Sequence, residues 1–133
     1  MRPLILIALL ATPAVADEHA DGAQLYQQHC VACHGATATG DGPMAALLRV
    51  PVADLTGIAA RNGGIFPLTD VVRIIDGRQE RQGHGAGAPM PVFGPSPGGG
   101  SAVIDGPDGS VIETTGSILA LARYLESLQV AAE

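Results

Sequence analysis

Cys30-Val31-Ala32-Cys33-His34 is the stretch that decides how this chain folds. The 133 residues contain two cysteines, and both fall within these five positions, with a histidine directly behind them. C-x-x-C-H is the spacing that attaches haem c. Each thiol adds across one vinyl group, two intervening residues let both sulfurs reach, and the next side chain offers an imidazole to the iron. Three other uses of these residues compete. A disulfide across so small a loop constrains little. A thiol oxidoreductase places C-x-x-C after a strand in a βαβ unit, whereas a helical stretch leads into this one. A zinc site would need a second cluster of paired ligands, and none is present. Haem also suits the composition. Two Phe, two Tyr and no Trp leave few bulky side chains for a core, which a covalent haem would fill.

Working outward, Asp17 to Cys30 is expected to be a helix, with Gly22, Leu25, Tyr26 and His29 on one face. Gly35 to Pro43 is a polar, glycine-rich loop, and Met44 to Arg49 forms one or two turns that Pro51 stops. Asp54 to Arg61 is expected to be a short helix capped by Asp54 and ended by Asn62-Gly63-Gly64. Thr69 to Asp76 is another, with Thr69 as cap and Gly77 just beyond. Gln82 to Gly100 is a long loop dense in Gly and Pro. Ser101 to Thr115 is expected to be a hairpin, because the β-prone triplets Ala102-Val103-Ile104 and Ser110-Val111-Ile112 flank Asp105-Gly106-Pro107-Asp108-Gly109. Ser117 to Gln129 is the clearest helix, with an apolar stripe of Ile118, Leu121, Ala122, Leu125 and Leu128.

Composition narrows the function. The length suits one domain. Eighteen glycines and ten prolines favour short helices joined by shaped loops. Seven arginines and no lysine face thirteen acids, a net charge of −6 without any basic run, so a nucleic-acid groove or an anionic membrane surface is a poor match. Residues 1–16 have the pattern of a cleaved secretory signal: Arg2 gives a positive start, Leu4 to Ala11 is apolar, and Ala14-Val15-Ala16 is a small-x-small site. The apolar run is too short to span a bilayer. Residues 17–133 would then be one exported domain in the periplasm, with no membrane span after cleavage.

A haem iron held by His34 takes Met, His or nothing on its other side. Met90, in Ala88-Pro89-Met90-Pro91-Val92-Phe93-Gly94, is the candidate, since Pro91 biases it toward an extended, stiff setting. His84, in Gly83-His84-Gly85, is the rival, while Met44 is assigned to the proximal side or the core. His19 and His29 are taken as ordinary helix residues. The other ring nitrogen of His34 needs an acceptor, for which the Pro43 carbonyl is the candidate. Arg61 and Arg78, then Arg49 and Asn62, are candidates to meet the haem propionates, because arginines are scarce.

These residues together resemble the class I c-type cytochromes. Gly22-x-x-Leu25-Tyr26-x-x-x-Cys30-x-x-Cys33-His34 is similar to that family's first helix running into its haem motif. Gly40-Asp41-Gly42-Pro43-Met44-Ala45 and Asp54-Leu55-Thr56 look like the segments that follow in many bacterial members. Asp76-Gly77-Arg78, His84-Gly85 and Met90-Pro91-Val92-Phe93-Gly94 resemble the axial-Met region of one bacterial branch. Leu121 to Leu128, with Tyr124, is similar to the last helix, which crosses the first near Gly22. The likeness spans about Asp21 to Gln129 and implies an all-α cytochrome c fold around one covalent haem c, with His34 and Met90 axial. Ser96 to Thr115 departs from it, being longer and more strand-like than the usual link.

The expected function is a soluble, periplasmic, mono-haem carrier of single electrons between redox partner proteins. No residue stands out as a catalytic base or nucleophile, so an enzyme is not expected. Two alternatives are kept. One is a cytochrome subunit of a periplasmic oxidoreductase, such as a larger dehydrogenase, docked through the hairpin. The other is a haem sensor or peroxide-reacting protein with a labile Met90.

Overall fold

The computed structural model describes residues 17–79, 81, 83, 88–93 and 99–131. The predicted signal segment, His84 and Gly94–Gly98 lie outside them.

Gly22 sets the geometry of the molecule. It lies in α1 (Asp17–His29), where a Cβ would stand 2.2 Å from the Ala120 carbonyl oxygen of α5 (Gly116–Ser127). The two helices therefore cross with backbone against backbone, which only glycine permits. One turn further along, Tyr26 is fully buried, its ring 5.5 Å from that of Tyr124. Its hydroxyl donates to the Gly35 carbonyl at 2.7 Å, so its polar end is satisfied. Thr115 starts α5, its Oγ1 accepting from the Ile118 N–H at 3.3 Å. Ile118, Leu121, Ala122 and Leu125 then form the buried stripe that the spacing predicts. Each large aliphatic side chain removed from water there contributes about 1.5–3 kcal/mol.

Three short helices complete the helical part of the described residues: α2 (Val31–His34), α3 (Ile58–Arg61) and α4 (Leu68–Ile75), with a 3₁₀ turn at Ala45–Leu47. Two sequence expectations are corrected here. Asp54 does not start a helix; its Oδ1 accepts from the Thr56 N–H at 2.8 Å and the Thr56 hydroxyl at 2.6 Å, which closes a local turn, and α3 begins only at Ile58. Thr69 does not cap α4 but is buried inside its first turn, because Pro67, which has no N–H to satisfy, leads the chain into the helix at Leu68. Gly77, with φ +81°, ends α4 as predicted.

The predicted hairpin is present. β1 (Ser101–Asp105) pairs antiparallel with β2 (Val111–Thr115), Ile104 opposite Ile112 and Val103 opposite Glu113. Ile104 and Ile112 face the core while Val103 and Val111 face outward, the period-two alternation of a half-buried ribbon. Asp108 Oδ1 accepts from the Ser110 N–H at 3.0 Å and shapes the turn. The fold is thus mostly helical, with one small hairpin before the last helix.

Candidate cofactor site

The Cys30–His34 stretch follows α1 directly and closes one helical turn, the His34 N–H donating to the Cys30 carbonyl at 2.9 Å. Residues four apart share a helix face. Cys30 and His34 accordingly line one cavity of about 390 Å³, within the range of small-molecule sites. A smaller space of about 80 Å³ is walled by Cys30, Cys33, His34, Met90 and Phe93. The turn is locked from behind. Gly40, Gly42 and Met44 donate their N–H groups to the carbonyls of His34 (2.8 Å), Cys33 (3.0 Å) and Ala32 (2.8 Å), filling the acceptors that a helix end leaves open. A Cβ on Gly42 would meet the Ala32 and Cys33 carbonyl oxygens at 2.6 Å, so the loop can close only on glycine.

His34 is buried, and its Nδ1 lies 3.0 Å from the Ala53 carbonyl oxygen. A carbonyl only accepts, so Nδ1 carries the proton and Nε2 keeps its lone pair. Burial pushes the His34 pKa below its ordinary value, and the Ala53 carbonyl partly opposes this. The ring is held neutral, as a metal ligand must be. Ala53 stands where Pro43 was expected. The loop carrying Pro43 turns its N–H groups toward the α2 carbonyls and leaves Pro43 exposed. Cys30 is buried, and burial together with Cys33 pushes its thiol up to about 11, so it is a neutral thiol at ordinary pH.

The cavity wall is largely apolar, with Leu55, Ile58, Val71, Ile75, Leu121 and Leu125 drawn from four separate segments. Met90 joins His34 on it. The Met90 N–H donates to the Gly83 carbonyl at 3.1 Å and the Phe93 N–H to the Ile75 carbonyl at 3.0 Å, which ties this stretch to α4. The Phe93 ring meets His29 edge-on at 5.1 Å.

Arg61, Asn62, Asp70 and Arg81 are the charged and amide groups on the wall. Arg61 and Asn62 were expected there; Arg78 and Arg49 are not on it. Arg78 is bound instead by the carboxylate of Asp76, two residues back, which captures its guanidinium before it can turn inward. Arg49 is exposed. Asp70 and Arg81 were missed. Asp70 shares the Ile74 face of α4 by its spacing, a signal that an apolar-stripe reading ignores.

The donor set fits a haem. The two thiols are not joined to each other, an imidazole with a free nitrogen and a thioether line one apolar cavity, and cationic side chains lie on its wall. Among the described residues no three or more His, Cys, Asp or Glu side chains gather as a metal cluster, so the zinc alternative lacks a ligand set there.

A family model, cytochrome c, matches residues 19–129. The chain belongs to the cytochrome c family. No match was found among curated proteins. Cytochromes c bind haem c covalently, and a single-domain class I member typically carries one, so haem c is the cofactor of this chain. Cytochromes c generally transfer electrons rather than catalyse reactions, and they interact with redox partners.

Proposed function

We propose that this cytochrome c is a periplasmic carrier of single electrons, bearing one haem attached through Cys30 and Cys33, with His34 and Met90 as axial ligands. The observation that carries the reading is the meeting of His34 and Met90 on one cavity that Cys30 also lines, with the Nδ1 proton of His34 already committed to Ala53. Bound there, haem supplies an iron centre that gains and loses one electron. His34 offers a lone pair of fixed direction. Met90 offers a soft sulfur, which favours the reduced state. The aliphatic wall keeps water off. Asn62 and Arg81 supply donors for the propionates, while the Arg61 guanidinium is engaged by the Asp54 carbonyl.

Export is supported by the signal-like residues 1–16. Among the described residues no helix is long and apolar enough to cross a membrane. Six arginines against thirteen acids after Ala16 favour a partner with a basic or apolar docking face. Docking to a basic face would slow with added salt.

The test is an optical spectrum of protein matured in a periplasm, ferric and then reduced. A c-type reduced spectrum with the weak long-wavelength ferric band of sulfur on iron is expected. A c-type spectrum without that band would remove Met90. Carbon monoxide binding to the reduced protein at neutral pH would turn the reading toward a sensor or peroxide-reacting protein. A second reading, the subunit of a periplasmic oxidoreductase, draws on the outward Val103 and Val111 of the hairpin, which are 58% and 65% exposed. Stable co-purification with a larger dehydrogenase, lost when both valines become serine, would favour it.

A further inference from the structure

We propose that Asp54 and Arg61 are positioning residues for the axial imidazole, acting by holding the backbone at Ala53–Asp54 behind His34. The proposal rests on His34 being the iron ligand. Ala53 lies in an exposed stretch without regular secondary structure, yet its carbonyl is the acceptor 3.0 Å from His34 Nδ1. Such a carbonyl would ordinarily exchange partners with water. Here the chain on its C-terminal side is pinned at successive atoms. The Arg61 guanidinium donates to the Asp54 carbonyl at 2.5 Å. Asp54 Oδ1 accepts from the Thr56 N–H and hydroxyl at 2.8 and 2.6 Å. The Leu55 N–H donates to the Ala38 carbonyl at 2.7 Å, and Gln129 Nε2 donates to the Leu55 carbonyl at 2.8 Å. Gly57 makes room for the guanidinium, since a Cβ there would stand 2.8 Å from Arg61 Nη1.

The consequence is chemical. The hydrogen bond behind a metal-bound imidazole fixes the ring plane and sets how strongly the ring donates to the metal. Arg61 reaches Ala53 only through one peptide unit, and Asp54 acts only on the turn that follows. Both therefore work through the Ala53 carbonyl, and neither needs to touch the haem. The role differs from that of a propionate partner, in which only the charge of Arg61 would matter.

The test uses the matured, ¹⁵N-labelled holoprotein and follows solvent exchange of the His34 Nδ1 proton, together with the reduction potential. Asp54→Ala and Arg61→Gln are each expected to speed that exchange by roughly tenfold or more, the equivalent of about 1.4 kcal/mol of local opening. Asp54→Asn keeps an oxygen for Thr56 and should stay within about threefold of the unaltered protein, with its potential nearer to that than to Asp54→Ala. If Asp54→Ala does not mature, Thr56→Ala removes the hydroxyl donor alone and should give about threefold faster exchange. Equal behaviour of Asp54→Asn and Asp54→Ala would mean that charge alone acts, and would overturn the proposal. So would unchanged exchange in Arg61→Gln or Thr56→Ala. Absence of a paramagnetic shift on this proton in the unaltered ferric protein would overturn the ligand reading and the proposal with it. That failure is distinguishable because it needs no variant.

Discussion

His34 and Met90 face the same cavity, but they are fastened by different means. Behind His34 the backbone is saturated. Three N–H groups of the 40–44 loop fill the carbonyls of residues 32–34, the Tyr26 hydroxyl takes the Gly35 carbonyl, and Ala53 takes the ring. Around Met90 the described attachments are two backbone bonds, the Phe93 ring against His29, and Val92 against Gly77. Directional bonds fix an orientation, whereas apolar contact fixes only a position. An imidazole has a plane to be set. A thioether has to be delivered, and it can be delivered by packing. Damage behind His34 should therefore cost the fold, and damage around Met90 should cost the ligand first.

The sharpest break is Gly42→Ala. Its methyl group would meet two backbone carbonyls that cannot move aside, and a loss of about 3 kcal/mol is expected from denaturant unfolding followed by circular dichroism. Met90→Ala should retain the covalent haem, lose the sulfur-to-iron band and bind carbon monoxide when reduced, with a stability loss of about 2 kcal/mol in the same unfolding assay. A loss of covalent haem in that variant would erase the difference between the two sides. Gly77→Ala strains a φ of +81° and presses on a flexible Val92 side chain, so about 1–2 kcal/mol is expected in thermal unfolding, with partial loss of the sulfur band. Tyr26→Phe removes the shorter of two hydrogen bonds to the Gly35 carbonyl, leaving that from the Ala38 N–H at 3.2 Å, and should cost about 1 kcal/mol with an unchanged spectrum.

The same contrast explains what could be foreseen. The two crossing helices, the hairpin and the C-x-x-C-H turn carry their own periodicity or spacing, so local pattern sufficed. That the first and last helices cross near Gly22 came from the resemblance to the class I c-type cytochromes and not from the spacing of Gly22 and Tyr26. The acceptor for His34 was not legible. Ala53 lies nineteen residues away and is brought there by tertiary closure, while Pro43 was nearer in sequence but sits in a loop that presents its donors. Asp54 carried a capping signal and used it for a turn instead, since the same carboxylate satisfies either. Arg78 was drawn off by Asp76, a local pair that sequence shows but does not rank. Asp70 lies on the cavity through its spacing with Ile74 on α4, whereas Arg81 joins it from beyond that helix, where no periodicity announces it.

The contact of Gly22 with Ala120 also orders events in time. It joins positions 98 apart in the chain, and closing so long a loop is an entropic step that local helix formation does not help. A chain emerging N-terminus first presents Cys30 and Cys33 long before α5 exists. Leu121 and Leu125, which wall the cavity, arrive last. In the finished fold they shut one side of the cavity that Cys30 lines, so closing that long loop and closing the cavity are a single event.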